Sequence, residues 1–452
     1  MKQRLHELTR PAWVIVVAVA VLYGIGLASI YASEAARSRP YFTYKQLVFL
    51  LGSLVLTVVV LRVGFRWISR QAYAIFALAL VALIPLAIAR FSHFEFGGLV
   101  PVVRGAYRWI RLPGFQLQPS EFMKVAFILA LAWYLRDKKN YRNLRGLMVP
   151  FAASMVPLVL ILLEPDLGSV LLIMPVLFAM LFVAGARLRH LALVAAIGLA
   201  LTPLFWMKMR PYQRLRITAV LLQSDALRTD IARNPNRYWF LNEDADALRR
   251  EARQWQVSSG MQTVRSKAAL GSGGALGQGW GHGTYVEYDF LPDRHNDFVF
   301  ALIGHQWGLL GCLLVLACYV VIILAGAVIA TASNDPVGRL LAAGVVALVA
   351  TQVLINVGMG VGLMPVTGMT LPFVSYGGSS LLTNFIAIAL LISVDQYRPY
   401  LLTRKPFDFD ETPLSFPPPR EDREPGPLDR RADRGDHAGR RPGRWSIVRH
   451  RR

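Results

Sequence analysis

Asp297 ends a charge-dense run, Phe290-Leu291-Pro292-Asp293-Arg294-His295-Asn296-Asp297, and Phe298-Val299-Phe300 then opens a long apolar block. A carboxylate at such a water-to-lipid boundary has two readings. It is a helix cap that accepts backbone N–H bonds, or it is a working group such as a general base. Five cations elsewhere are suited to gripping an anionic leaving group: Arg108 and Arg111 on either side of Trp109, Lys124, Arg214 and Lys267. Arginine would do so through a bidentate fork and lysine as a point charge. Plainer roles stand beside these. Glu121 and Lys124 lie three apart and share a helix face, so they suit an intrahelical pair. Arg108 and Arg111 suit interfacial anchoring. Lys124 is the most telling, because a lysine this deep after Phe122 and Met123 is costly unless it is paired or wet. Asp166, after Pro165 in a tight turn between two apolar blocks, reads as a turn-former before it reads as a metal ligand.

Other chemistry-bearing residues offer less. Gly271, Gly273, Gly274, Gly277, Gly279, Gly281 and Gly283 tempt a phosphate-loop reading, but no strand-to-helix context supports it, so a flexible loop is expected. His282, His295 and His305 are isolated. Cys312 and Cys318 lie six apart in one apolar block, on different helix faces, which argues against a disulfide between them. Neither Ser266-Lys267 nor Ser379-Ser380 has the Ser-x-x-Lys spacing of a transpeptidase nucleophile.

The elements that must position these groups are membrane helices. The chain has 452 residues, of which 54% are hydrophobic and 17% charged, and its mean hydropathy is +0.42. Its apolar residues fall in long blocks, which excludes an ordinary soluble domain. Spanning blocks are expected near 13–32, 46–62, 73–90, 121–135, 147–163, 168–186, 190–206, 298–331, 339–363 and 371–394. The fold class is therefore an all-α integral membrane bundle of about ten transmembrane helices, with a large extracytoplasmic loop, 207–297, between helices 7 and 8. The net charge of +21 is better explained by loops flanking a membrane than by nucleic acid, since no basic stretch is interleaved with aromatics. Arg62, Arg66 and Arg70, then Arg136, Lys138, Lys139, Arg142 and Arg145, then Arg187 and Arg189 fall on one side if the helices alternate. The positive-inside rule makes that side cytoplasmic, together with the N-terminal residues 1–12 and the C-terminal tail. The tail, 396–452, is rich in Pro, Arg and Asp and is expected to be disordered. Residues 224–258 read as an amphipathic helix inserted into the large loop.

A stretch from Asn356 to Ser380 holds Pro365-Val366-Thr367-Gly368 and then Ser375-Tyr376-Gly377-Gly378-Ser379-Ser380. So many glycines and prolines at membrane depth predict a broken helix that lines a cavity. This stretch, the Asp297 run, Gly105-Ala106-Tyr107-Arg108-Trp109, Gln118-Pro119-Ser120-Glu121 and Pro165-Asp166-Leu167-Gly168 resemble the shape, elongation, division and sporulation family, which includes RodA, FtsW and SpoVE. The resemblance covers about residues 13–395. Lys208-Met209-Arg210-Pro211-Tyr212-Gln213-Arg214 and Leu291 to His295 are more similar to the elongation branch than to the division branch. The chain departs from the family pattern at Asn296 (usually Thr), Glu164 (usually Gln) and His305-Gln306 (usually a Glu-Glu pair).

The resemblance implies a peptidoglycan glycosyltransferase of the cytoplasmic membrane that polymerises lipid II at its outer face. Asp297 would be the essential carboxylate in an inverting displacement that releases undecaprenyl pyrophosphate. It implies a class B penicillin-binding protein and other elongation-complex membrane proteins as partners. It also implies a response to a divalent cation, Mg2+ or Mn2+, although no cluster here has metal-ligand spacing, and no organic cofactor is expected. A lipid-linked precursor transporter and a scaffold for a partner synthase are the competing expectations.

Overall fold

The computed structural model describes residues 10–35, 41–92, 98–103, 105–137, 143–209, 211–242, 244–288, 290–291 and 295–397. The tail beyond 397, residues 1–9, Lys138, Lys139 and Arg142, Arg210, and Pro292 to Arg294 lie outside the described residues, as do the side chains of Lys208, Pro211 and Tyr212.

In hydrocarbon every backbone polar group needs an internal partner, so the apolar blocks become helices. In chain order they begin with α1 (Arg10–Ala35), α2 (Tyr41–Val63), the short α3 (Phe65–Arg70) and α4 (Ala72–Ser92). A small antiparallel hairpin follows, β1 (Ile110–Leu112) and β2 (Phe115–Leu117), with Arg111 opposite Gln116. Then come α5 (Pro119–Leu135), α6 (Leu144–Leu163), α7 (Leu167–Val183), α8 (Leu188–Ala200) and α9 (Thr202–Lys208). The large loop contains α10 (Pro211–Leu221), α11 (Asp225–Arg233), α12 (Ala245–Gln254), α13 (Met261–Ser272) and α14 (Thr284–Glu287). The chain closes with α15 (Val299–Ala332), α16 (Pro336–Gly360) and α17 (Gly378–Gln396).

Among the described residues, eight helices are long and apolar enough to cross a membrane, with α8 and α9 acting as one span, Leu188–Met207. The helices α5 and α7 have 17 residues each; α5 is mostly buried in the bundle, and about half of α7 is. Helix α2 packs on α17, α1 on α15, α15 on α16, α4 on α5, and α16 on α7. The span α17 is 83% buried, whereas Leu188–Met207 is only 6% buried, so the first lies in the core and the second is peripheral.

Entry to several helices is fixed by carboxylates that satisfy otherwise orphaned N–H groups. Glu34 accepts from Phe42 N at 2.8 Å and Thr43 N at 2.9 Å where α2 begins, and Asp335 caps α16 through Val337 N at 2.9 Å.

Three expectations need correction. The last span does not begin at 371. Residues 361–377 form no regular helix, and α17 starts at Gly378, because the prolines and glycines there withhold helical bonds. The insertion at 224–258 is not a single helix. It holds α11, a 3₁₀ turn (Pro235–Tyr238) and α12 around a small core of Leu222, Ile231, Leu241, Leu248 and Trp255.

The glycine-rich loop, finally, is firmly packed. Helix α15 is broken at Gly308, and the loop supplies partners for the groups the break frees. Gln278 N donates to His305 O at 2.9 Å and Gly279 N to Gln306 O at 3.1 Å, while Leu309 N donates to Gly274 O at 2.9 Å. Backbones approach so closely that a Cβ on Gly273 would sit 1.9 Å from Gly304 O. Gly273→Ala is therefore expected to lower stability by about 1–3 kcal/mol, since a backbone oxygen must shift to admit the methyl. Thermal unfolding of the purified variant in detergent checks it, and an unchanged midpoint would contradict the packing.

Candidate active site

The irregular segment 361–377 and the run that ends at Asp297 are stitched together. Asn356 Nδ2 donates to Asp297 O at 3.0 Å and to Met369 O at 2.6 Å. Ser375 Oγ donates to Asn296 O at 2.6 Å and accepts from Leu371 N at 2.8 Å. Tyr376 N donates to His295 O at 2.8 Å. These bonds hold the backbone on both sides of Asp297 without using its carboxylate. The capping position of α15 is Phe298, one residue past Asp297. Gly368 adopts φ +78°, and a Cβ on it would lie 3.7 Å from Asp297 Oδ2, so the backbone there borders the carboxylate.

Asp297 opens into a cavity of about 610 Å³. The cavity wall includes Arg108, Arg111, Glu121, Lys124, Asp166, Gly368, Tyr376, Gly377, Gly378 and Ser379, so most of the residues singled out in the sequence converge there. Ser375 acts from behind the wall through Asn296, and Pro365 lies in the same irregular segment away from the wall. Lys45, Gln118, Thr370 and Gln352 also line it and were not singled out. Lys45 carried a usable signal, a lone cation at the edge of an apolar block. Asn356 carried none, since a buried amide that clasps two carbonyls is defined only by the fold.

The hairpin and the starts of α5 and α7 also build the wall. Arg108 Nε donates to Glu164 O at 3.0 Å, and its other arm donates to Pro165 O. Asp166 caps α7 and is ringed by donors: Ser169 Oγ at 2.7 Å, Ser120 Oγ at 3.1 Å and Ser169 N at 3.2 Å. Its role is thus the turn and cap. Burial pushes the Asp166 carboxyl up, but Arg108, the Ser169 bonds and Lys124 outweigh it and hold it below the usual carboxylate value. Lys124 Nζ donates to Glu121 Oε1 at 2.6 Å, and both side chains are nearly enclosed. Ser379 Oγ accepts from Gln118 N at 2.9 Å and ties α17 to the hairpin. Burial pushes the Tyr376 phenol up to about 12, so it meets a ligand as a neutral hydroxyl. Among the described residues the wall carries four cations (Lys45, Arg108, Arg111, Lys124) and three carboxylates (Glu121, Asp166, Asp297), a balance suited to an anionic ligand.

Glu164 is fully buried, and among the described residues neither carboxyl oxygen has a hydrogen-bond partner. Burial, then the Asp166 charge, push it well above the usual value, against the pull of Arg108. A carboxyl raised in the folded state keeps a proton that the unfolded chain releases above about pH 4.3. Stability is therefore lost as pH rises toward the folded value. Glu164→Gln removes that dependence. Its thermal midpoint should exceed the parent's at alkaline pH and converge with it in acid, as a pH series of melts would read. Parallel curves at all pH would show Glu164 to be ionised and solvated.

Two proposed ligands are placed elsewhere. Arg214 caps the end of α9, donating to Trp206 O at 3.0 Å and Met207 O at 2.6 Å, and lines a separate cavity of about 270 Å³ beside the insertion. Lys267 is exposed and donates to Gln223 Oε1 at 3.0 Å. Neither lines the Asp297 cavity. His305 and Gln306 are buried behind the glycine-rich loop, with His305 Nδ1 2.7 Å from Ser272 Oγ, and are also absent from that wall. Among the described residues no group of three His, Cys, Asp or Glu side chains could hold a metal. Of the carboxylates on the wall, Asp166 accepts from Ser120 and Ser169, and Glu121 accepts from Lys124 through one oxygen.

The family model described as cell cycle protein, covering FtsW, RodA and SpoVE, matches residues 7–400. The probable peptidoglycan glycosyltransferase FtsW of Geobacter metallireducens is 33% identical over 404 residues, covering 87% of this chain and 96% of that protein. Stage V sporulation protein E of Bacillus subtilis is 31% identical, covering 87% and 99%. The peptidoglycan glycosyltransferase MrdB of Escherichia coli K12 is 31% identical over 301 residues, covering 66% and 74%. Among solved structures, a chain from a peptidoglycan synthase complex, described as coordinating polymerization and crosslinking, superposes with a TM-score of 0.66 at 28% identity, covering 86% of this chain and 98% of that one. The rod shape determining protein RodA of Thermus thermophilus shares the fold, with a TM-score of 0.58 at 24% identity, covering 85% and 97%. A model match across almost the whole helical bundle and relatives above 30% identity along most of their length place this chain in the FtsW, RodA and SpoVE family of membrane proteins.

Proposed function

We propose that this chain is a membrane glycosyltransferase that polymerises lipid II into glycan strands, with Asp297 as the general base. The observation that carries the reading is the placement of Asp297 in a cavity that Lys45, Arg108 and Arg111 also line. Asp297 takes the proton from the attacking sugar hydroxyl as oxygen bonds to the anomeric carbon, and the bond to pyrophosphate breaks on the opposite side of that carbon. Inversion needs no second nucleophilic carboxylate, so one carboxylate on the wall, Asp297, suffices as the base. The cations hold the departing undecaprenyl pyrophosphate. A divalent cation would arrive mainly as the pyrophosphate's own counterion, given the donor set.

The cavity faces the outer side. Arg66, Arg70 and Arg136 gather with Asp335 in a polar pocket among the helix-joining turns that carry the basic residues, which supports a cytoplasmic side there and cytoplasmic termini. Crosslinking falls to a class B penicillin-binding protein partner, a reading supported by the fold's likeness to a chain of a synthase complex described as coordinating polymerization and crosslinking. The elongation role rests on the 208–214 and 291–295 runs. It stands against FtsW-named relatives, and rescue of rod shape in an elongation-defective strain, against rescue of septation in a division-defective one, separates the two.

Purified protein supplied with labelled lipid II and no partner should yield glycan strands on a gel. Movement of lipid II across a vesicle bilayer without any polymer would instead favour a transporter.

A further inference from the structure

The insertion in the large loop exposes two large aromatics side by side, Trp239 at 66% and Phe240 at 49%. In a water-facing loop that pair is unfavourable, and its position in the fold gives it another surrounding. Trp206, next to last in the span Leu188–Met207, donates its ring N–H to Phe240 O. The same indole packs against the insertion's small core, which holds Ile231, Leu241 and Leu248. The turn is thus fixed at the depth where a membrane span ends, and its neighbours on that span, Phe205 and Met207, are themselves exposed apolar side chains.

The remaining chemistry of the turn suits a headgroup layer. Tyr238 OH donates to Asp230 Oδ2 at 2.5 Å, which keeps its polar end tied to the insertion, while Arg233 and Arg237 stand exposed nearby. Aromatic rings with one wet end, flanked by arginine, concentrate at the bilayer interface. We infer that the Arg237-Tyr238-Trp239-Phe240 turn is a membrane-interface anchor, seating the insertion on the lipid surface beside α9. The insertion then braces the peripheral span Leu188–Met207, which the bundle itself scarcely covers.

Spin labels report the surrounding directly. Trp239→Cys and, separately, Phe240→Cys are labelled with a nitroxide in the full chain with Cys312 and Cys318 replaced by alanine. The protein is placed in nanodiscs of phosphatidylcholine and phosphatidylglycerol at 3:1, an order-of-magnitude choice of about one anionic lipid in four. Accessibility to oxygen and to a water-soluble nickel complex is then compared with a label at the lipid-facing Leu199 and with free label in buffer. The ratio for both turn positions should shift from the buffer value toward that of Leu199 without reaching it. A ratio equal to buffer would overturn the anchor. So would labels shielded from both reagents, since that is the mark of a protein cover and not a lipid one.

Discussion

Asp297→Asn should reduce glycan polymerisation by about 10²–10⁴-fold, the usual weight of a general base, while the protein stays folded. Asparagine keeps the shape and polarity of the side chain and loses only the basic oxygen. The bonds that position the segment run from Asn356, Ser375 and Tyr376 to backbone carbonyls of residues 295–297, and none of them needs the carboxylate. Binding of lipid II should therefore survive and the chemical step should fail, so the loss falls on kcat more than on KM. Strand formation from lipid II, beside a melting curve for each protein, separates the two effects. A folded Asn variant that polymerises at the parental rate removes Asp297 from the reaction.

The second large effect is expected at Lys124. Its ammonium and the Glu121 carboxylate meet at 2.6 Å with 3% and 10% of their side chains exposed. The Glu121 oxygen that Lys124 does not reach has no other partner among the described residues. Lys124→Met leaves a carboxylate enclosed without its cation, a change that costs about 3–5 kcal/mol in buried pairs. The double variant Glu121→Gln, Lys124→Met removes both charges and should regain most of that loss, so the coupling appears in a double-mutant cycle of thermal midpoints. If the single variant melts with the parent, the pair is hydrated through the cavity and its structural weight is small. Activity in the double variant is informative separately, because a stable but inactive protein would make Lys124 a ligand for the leaving group as well as a partner for Glu121.

Much of the bundle can be read from hydropathy because lipid leaves the backbone so few choices. The block expected at 121–135 is α5, Pro119–Leu135, and that at 147–163 is α6, Leu144–Leu163. Hydropathy fails where the backbone finds a partner outside its own helix. Residues 371–377 are apolar enough to be counted as helix, yet the Ser375 hydroxyl takes Leu371 N and the chain stays irregular. The break at Gly308 is likewise invisible in an apolar run, because its freed groups are satisfied by a loop that begins about 30 residues earlier, itself mistaken for flexible. For the site, residue type located Asp297, Arg108, Arg111 and Lys124 on the cavity wall. It misplaced Arg214 and Lys267, since a cation in a loop looks the same whether it faces a ligand, a helix end or a glutamine.

The cavity wall draws on α2, the hairpin, α5, α7, the turn before α15, α16, and the irregular segment that leads into α17. During synthesis the chain leaves the ribosome in that order, so the part that carries Gly368, Tyr376 and Ser379 is threaded into the membrane last. A nascent chain already owns its aspartate and its arginines but has no enclosure in which to bring them together. Whatever this pocket does waits on the insertion of α17, and chains stranded in the membrane before that step are silent by construction.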